Sequence, residues 1–166
     1  MSLRGVKSVM PGYTGGTMVD PDYDEVSTGR TGHAEAIKID FDPSVISFED
    51  LLTVFFNTHD PTTLNRQGAD VGTQYRSAIF YTTPEQKATA ERVIKELDDA
   101  KAYPKNIVTE VTPLDKFYPA ESYHMDYYRN NRTNPYCELV IAPKMEKFEK
   151  KFADLLATSN PIKQPA

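Results

Sequence analysis

Apolar and polar residues alternate along several short segments of the chain. The apolar run Val6–Met10 ends at a Pro-Gly pair, which predicts a first strand that leads into a glycine-rich loop. Residues 33–41 alternate with a period of two, as strand residues do. This alternation places Glu35 on the same face as Ile37 and Ile39. We therefore expect Glu35 to point into apolar surroundings.

Helical patterns follow in three segments. Ser47 is a candidate N-cap, followed by an acidic first turn and by apolar residues up to Asn57. Pro84 is suited to the first position of a second helix, and Lys144–Leu156 is amphipathic. A tyrosine-rich segment predicts one further helix, at 120–130. Additional strands are predicted at 75–81, 107–111 and 137–141.

Strands mixed with helices, without a strict alternation of the two, predict an α+β fold in which helices pack on a mixed sheet as a two-layer sandwich. No internal repeat or change of composition marks a second domain. We expect one domain over residues 1–156 and a disordered tail over residues 157–166, which contains two prolines.

The charge and composition exclude several classes of partner. The chain has 166 residues and a net charge of −5, without a broad basic surface for nucleic acid. No segment approaches the ~18 apolar residues of a membrane span, and the N-terminus lacks the apolar core of a secretory signal. The only cysteine, Cys137, cannot form an intrachain disulfide. We expect a soluble, cytoplasmic protein.

Some segments are richer in polar and aromatic side chains than turns and strands require: 12–16, 32–36, 68–77 and 123–128. A carboxyl group among apolar side chains has a raised pKa and can act as a general acid, which favours a role for Glu35. The other segments stay open to two interpretations. The glycines of 12–16 also suit a simple turn, and Asp70 also suits an ordinary loop. His124 and Tyr127 share a helix face, which also suits packing.

A metal site is a distant alternative. It would use His33, His59 and His124 with nearby acidic residues. No pair of histidines has a recognised ligand spacing such as His-x-x-x-His. We expect no metal.

Taken in order, these segments resemble the A-type peptide-methionine sulfoxide reductases. The resemblance extends over about residues 5 to 143, and its motifs are Gly12-Tyr13-Thr14-Gly15-Gly16, Thr31-Gly32-His33-Ala34-Glu35-Ala36, His59-Asp60-Pro61-Thr62, the segments 66–70 and 72–79, and Ala120-Glu121 leading to His124 and Tyr127. It implies a ferredoxin-like core and thiol-dependent reduction of methionine S-sulfoxide, free or in peptides. It implies no metal or organic cofactor, and an external dithiol such as thioredoxin as the reductant.

In that family a thiolate attacks the sulfoxide sulfur, an acid protonates the oxygen, and a second thiol resolves the resulting sulfenic acid. The resemblance implies that Glu35 is the acid and that the phenols of Tyr13 and Tyr75 hydrogen-bond around the oxygen. It implies that the substrate side is formed by Asp70, His124 and Tyr127.

The sequence departs from this family at the nucleophile. The family carries it in a Gly-Cys-Phe-Trp segment near the N-terminus, but this sequence has no tryptophan and no cysteine before Cys137. We expect that the first strand and helix are missing. A truncated gene model is the preferred explanation, and a true pseudo-enzyme that only binds methionine sulfoxide or methionine peptides is the second. The chain as given is then inactive and prone to self-association. Cys137 is either a resolving thiol or a structural residue.

Overall fold

The computed structural model describes residues 3–121 and 142–153. The strands are β1 (Val6–Thr14), β2 (Ala34–Phe41), β3 (Arg66–Gln67), β4 (Asp70–Val71), β5 (Ala78–Tyr81), β6 (Glu110–Pro113) and β7 (Phe117–Pro119). The helices are α1 (Tyr23–Ser27), α2 (Phe48–Thr58), α3 (Pro84–Asp99) and α4 (Ala142–Lys151), and a 3-10 turn covers Thr73–Tyr75. The predicted α+β class is confirmed.

The described strands form three small sheets. The largest is antiparallel with the order β2-β1-β7, β3 and β4 form an antiparallel hairpin, and β5 pairs in parallel with β6. Parallel and antiparallel pairing both occur, as predicted. The prediction was one mixed sheet, however, whereas in the described residues the two kinds of pairing occur in separate sheets.

The predicted caps of the two long helices are present. The Ser47 side chain accepts a hydrogen bond from the Asp50 backbone N–H, and the Asp50 side chain accepts one from the Ser47 N–H. This reciprocal pair gives partners to two backbone N–H groups that have none within the first helical turn. At α3, Thr83 accepts from the Gln86 N–H, and Pro84 occupies the first position.

The main core lies where α2 and α3 pack against the β5-β6 sheet. Its buried residues are Leu52, Phe56, Ile79, Ala90 and Val93. Burying these apolar side chains is the main favourable contribution to the stability of this half of the molecule.

Several predicted boundaries are corrected. Strand β1 continues through the Pro-Gly pair to Thr14, because residues 12–14 pair with both β2 and β7. The strand predicted from Tyr75 begins only at Ala78, since Thr73–Tyr75 is a 3-10 turn. The strand predicted at 107–111 is β6, Glu110–Pro113.

Other predictions fall partly or wholly outside the described residues. The helix predicted at 120–130 is not helical at residues 120 and 121, and the rest of it is not described. The strand predicted at 137–141 and the tail 157–166 lie outside the described residues. Helix α4 confirms the predicted C-terminal helix as far as Lys151.

His59 connects the end of α2 to the strand side of the core. Its Nδ1 lies 2.6 Å from the carbonyl oxygen of Phe55, and its Nε2 lies 2.7 Å from Oγ of Ser77. Burial lowers the pKa of His59, and the Phe55 carbonyl and the Asp60 carboxylate oppose this shift only in part. The folded protein therefore favours the neutral form of this imidazole.

This lowered pKa predicts a pH dependence of stability. Below about pH 6.5 the unfolded chain takes up a proton that folded His59 resists, so the free energy of unfolding falls as the pH drops. The carboxylates with lowered pKa, Asp42 and Asp60, act at lower pH. On going from about pH 7.5 to about pH 5.5, on either side of the ordinary His pKa, urea unfolding should show a smaller loss of stability in His59→Gln than in the unmodified chain. An equal loss of stability in both proteins would contradict the lowered pKa of His59.

Candidate functional site

Three predicted or newly found site residues lie in a row across the largest sheet. Tyr13 of β1 stands directly opposite Glu35 of β2 and, on its other side, opposite Tyr118 of β7. Directly opposed residues of an antiparallel pair share one face of the sheet, with Cβ atoms about 4.5–5.5 Å apart. The structure thus places a carboxyl group beside a phenol.

The predicted burial of Glu35 is wrong. Glu35 is exposed, and Ile37, its neighbour on the same face, is 60% exposed. The period-two pattern correctly placed the two side chains on one face, but a pattern along one strand does not reveal whether anything covers that face. By contrast, Ala34 on the opposite face is buried.

Tyr75 brings a second phenol to this carboxyl group. Burial raises the pKa of Tyr75, and the negative charges of Glu35 and Asp70, followed by the phenol of Tyr23, raise it further. A side-chain hydrogen bond with Gln74 acts in the opposite direction. Such charge effects require the groups to be near each other, so Glu35 and Asp70 lie in the neighbourhood of Tyr75.

The glycine-rich segment 12–16 is more than a turn. The Gly16 N–H donates to Nδ1 of His33 at 3.0 Å, and Nε2 of His33 lies 2.7 Å from the carbonyl oxygen of Met18. The Thr17 N–H donates to the Thr31 carbonyl at 3.2 Å. His33, only 1% exposed, thereby fixes the loop after Tyr13 to the segment before Glu35.

Gly16 is required by this close approach. A Cβ atom at Gly16 would lie 2.4 Å from the backbone nitrogen of His33 and from the carbonyl oxygen of Thr31. We expect Gly16→Ala to destabilise the protein by about 1–3 kcal/mol through overpacking. Gly68→Ala is the control, since a Cβ atom there meets nothing within 4 Å and only its positive φ of 58° adds strain. Urea unfolding measures both, and a Gly16→Ala cost no larger than the control would contradict this packing.

The turn that carries Tyr75 is held from two sides. Oγ1 of Thr73 donates to the Gly29 carbonyl at 3.1 Å, and the Gln74 amide donates to the Ser27 carbonyl at 3.3 Å. Arg76 donates to the Thr73 carbonyl at 2.9 Å and pairs with Glu110 at 3.0 Å. The Tyr75 backbone is thus tied to the end of α1 and to β6.

The described residues give no support to the metal alternative. Both ring nitrogens of His33 and of His59 are engaged by other groups. Within residues 3–121 and 142–153, no group of three or more His, Cys, Asp or Glu side chains is placed to hold a metal ion. His124, the third histidine of that alternative, lies outside the described residues.

Two further predicted residues, Tyr127 and Cys137, also fall outside the described part of the chain. The structure neither places them in the site nor separates them from it. Every helix within the described ranges is too short or too polar to span a bilayer.

Sequence reasoning missed three site neighbours. Tyr118 lies beside Tyr13 and contacts His33 edge to face, with ring centroids 5.5 Å apart. The phenol of Tyr23 lies near Tyr75, and the Tyr13 hydroxyl donates a hydrogen bond to Oε2 of Glu121 at 3.0 Å. Tyr23 and Tyr118 lie on short elements, and Glu121 was named only as part of the Ala120-Glu121 motif.

A groove of about 590 Å³ lies elsewhere, between the end of α2 and the segment 103–105, and none of the predicted sulfoxide-site residues lines it. Two of its polar side chains, Asp60 and Tyr103, are already engaged. The Asp60 carboxylate accepts from Thr62 at 2.6 Å, and the Tyr103 hydroxyl donates to the Phe56 carbonyl. The groove therefore does not offer the pairing of a carboxyl group with flanking phenols that the sheet face presents.

The fold and the site together define an α+β protein whose open sheet face presents a carboxyl group between phenols. Such a site can bind a polar oxygen atom and donate protons to it. A family model described as peptide methionine sulfoxide reductase matches residues 1–156. The chain belongs to the peptide methionine sulfoxide reductase family and is by that membership an oxidoreductase that acts on methionine sulfoxide.

Individual relatives agree with this assignment. A peptide methionine sulfoxide reductase MsrA of Thermus thermophilus is 55% identical over 154 residues, which cover 93% of this chain and 86% of the relative. That of Saccharolobus solfataricus is 53% identical, over 92% of this chain and 85% of the relative. Reduced Mxr1 from Saccharomyces cerevisiae is similar in structure, with a TM-score of 0.73 and 32% identity over 80% of this chain and 76% of that chain.

Proposed function

We propose that the site reduces the S-epimer of methionine sulfoxide, free or within peptides, to methionine, and so repairs oxidised proteins. The observation that carries this proposal is the position of Glu35 between two phenols. Tyr13 stands directly opposite it in the β1-β2 register, and Tyr75 lies close enough for the Glu35 charge to raise its pKa. An acid flanked by hydroxyl groups suits a sulfoxide oxygen, which only accepts hydrogen bonds.

The chemistry consumes two thiols. A thiolate attacks the sulfoxide sulfur while Glu35 protonates the sulfoxide oxygen, and this oxygen is then transferred to the attacking sulfur, which gives a sulfenic acid and releases methionine. A second thiol attacks that sulfur and releases water. The sulfoxide is thereby reduced to the thioether, and the two thiols are oxidised to a disulfide.

The other predicted residues surround this reaction. We propose that Tyr13 and Tyr75 place their hydroxyl groups around the oxygen, and that Asp70, His124 and Tyr127 form the substrate side of the pocket.

The cysteine content of the chain limits which thiol can be the nucleophile. Because Cys137 is the only cysteine in the 166 residues, the attacking thiolate is either Cys137 or a thiol outside them. We propose an outside nucleophile, with Cys137 as a candidate resolving thiol and an external dithiol such as thioredoxin as the reductant. Residues 1–156 would form one domain. The cytoplasm, where thiols are kept reduced, is the proposed location.

The single cysteine also favours a second candidate function. A chain that keeps Glu35, Tyr13 and Tyr75 without a nucleophile would bind methionine sulfoxide or methionine peptides without reducing them. This non-catalytic binder shares its ligand with the enzyme, so binding and turnover must be measured separately.

Titration calorimetry of the chain with blocked peptides tests the shared ligand. We expect the peptide with methionine S-sulfoxide to bind at least about tenfold more tightly than the R-epimer, a difference of about 1.4 kcal/mol. Absence of binding, or equal affinity for both epimers, would contradict the proposal.

A turnover assay with dithiothreitol then separates the two functions. The 166-residue chain should bind the S-sulfoxide without multiple turnover, and a polypeptide that carries the additional thiol should turn over. Turnover by the chain alone that disappears in Cys137→Ser would make Cys137 the nucleophile and contradict the proposed outside thiol.

A further inference from the structure

Two basic side chains in the groove at the end of α2 form no ion pair within the described part of the chain. They are Arg66 and Lys105, and Asp60 is the acidic residue among the described residues that line the groove with them. The ion pairs within residues 3–121 and 142–153 are formed by other cations: Arg76, Arg92 and Lys95. Both charges of the groove are therefore available to a ligand.

Asp60 does not neutralise this groove. Its Oδ1 accepts hydrogen bonds from the N–H and the hydroxyl of Thr62, at 2.9 and 2.6 Å. These hydrogen bonds are the main cause of the lowered pKa of Asp60, and the charge of Arg66 contributes least to it. A further cation, Lys151 of α4, donates to Oδ1 of Asn57 at the edge of the groove, at 2.6 Å. Positive charge therefore prevails there, in a protein whose net charge is −5.

The backbone that carries each cation is fixed to the end of α2. The Asp60 N–H donates to the side-chain oxygen of Gln67 at 2.9 Å, and the Gln67 amide donates back to the Asp60 carbonyl at 3.0 Å. This reciprocal pair holds β3, which carries Arg66. The Tyr103 hydroxyl donates to a carbonyl oxygen of α2 and holds the segment that carries Lys105. The positions of the two charges are thus set before a ligand binds, which lowers the cost of binding.

Neutral donors of the groove are used within the protein. Oγ1 of Thr58 donates to a carbonyl oxygen of α2 at 2.9 Å, and Oγ1 of Thr63 donates to the Arg66 carbonyl at 2.7 Å. The Tyr103 hydroxyl and Nδ1 of His59 also donate to carbonyl oxygens of α2. The donor capacity that remains for a ligand is therefore mainly that of the two cations.

We propose that this groove binds an acidic peptide segment whose carboxylates pair with Arg66 and Lys105. The planar guanidinium of Arg66 can donate two parallel hydrogen bonds to one carboxylate, and the ammonium group of Lys105 acts as a point charge for another. The groove, at about 590 Å³, has the volume of a site for a sizeable ligand, so an extended segment fills it better than a single small anion. The inference goes beyond the proposed function, since none of the described sulfoxide-site residues lines the groove.

Titration calorimetry at low salt with a blocked hexaglutamate peptide tests the proposal. The chain should bind hexaglutamate and should not bind hexaglutamine. Arg66→Gln and Lys105→Gln should each weaken the binding by about three- to tenfold. Lys87→Gln is the control, since it changes the net charge equally at an exposed position of α3 outside the groove, and its effect should stay below about 1.5-fold. Equal weakening by all three variants would show that only the net charge matters and would overturn the proposal.

Asp60→Asn tests the sign of the charge in the groove. Asn keeps an oxygen that can accept from Thr62, but it removes the charge that opposes an acidic ligand. Hexaglutamate should therefore bind about two- to threefold more tightly to this variant. Unchanged or weaker binding would contradict the proposed pairing. Urea unfolding should show unchanged stability in Arg66→Gln, so that its weaker binding reports on the groove and not on the fold.

Two competition experiments identify the occupant. Inorganic phosphate should bind much more weakly than hexaglutamate, because a single ion cannot engage both cations as a multivalent segment does. Phosphate binding as tight as that of hexaglutamate would overturn the peptide as the occupant. A non-acidic S-sulfoxide peptide should not displace hexaglutamate, and displacement would contradict a separate groove. Failure of the sulfoxide to bind would count against the proposed function alone and would leave the hexaglutamate result unaffected.

Discussion

Glu35→Gln should lower kcat/KM for methionine S-sulfoxide by about 10²–10⁴-fold, the usual contribution of a general acid. The variant is measured in a polypeptide that turns over with a dithiol. Gln keeps the size of the side chain and its ability to donate a hydrogen bond, but it has no proton to transfer. The loss should therefore appear in kcat, with much less effect on the affinity for the sulfoxide.

Two comparisons make this result specific. Glu96→Gln removes a carboxylate from the exposed surface of α3, and its kcat/KM should equal that of the unmodified protein. Glu35→Asp keeps an acid at a shorter reach and should retain more activity than Glu35→Gln. Near-normal turnover of Glu35→Gln would remove Glu35 from the reaction.

Phe56→Ala should destabilise the protein by about 3–5 kcal/mol, because it leaves a large cavity in the main core. Phe56 is 2% exposed, packs with Leu52, Ile79 and Val93, and contacts the ring of Phe55 edge to face with centroids 5.1 Å apart. Loss of a third or more of a typical folding free energy follows from this one truncation.

Leu64→Ala is the matched control for this truncation. Leu64 is 74% exposed, so removal of its apolar atoms should change stability by less than about 0.5 kcal/mol. Urea unfolding monitored by circular dichroism gives both values. A Phe56→Ala loss comparable with that of the control would contradict the position of the core.

The sequence predicted α2, α3 and β2 well because their signals are local. Ser47 and Thr83-Pro84 mark helix starts through hydrogen bonds within the first turn, and the period-two pattern marks β2. The boundaries of β1 depend on pairing with β2 and β7, which no local pattern contains. Strand β1 therefore extended through a Pro-Gly pair that locally favours a turn.

The difference between local signals and long-range contacts also applies to the site. Resemblance to a known family pointed to Tyr13, Glu35, Asp70 and Tyr75. In the structure Tyr13 lies opposite Glu35, and the charges of Glu35 and Asp70 raise the pKa of Tyr75. The burial of Glu35 was predicted wrongly, because coverage of a sheet face depends on elements distant in sequence. The hydrogen bond from Tyr13 to Glu121 spans 108 positions and was equally beyond local reasoning.

Short elements account for the remaining omissions. Helix α1 has five residues and β7 has three, too few to show a period. Both nevertheless position phenols of the site, Tyr23 and Tyr118.

The central claim is that Tyr13, Glu35 and Tyr75 surround one site for methionine S-sulfoxide. A crystal structure of the chain with an S-sulfoxide peptide tests it most directly. We expect the sulfoxide oxygen within about 3.2 Å of a Glu35 carboxyl oxygen and of the Tyr75 hydroxyl. A peptide bound instead in the groove beside His59 and Arg66, with Glu35 free of contact, would contradict the account.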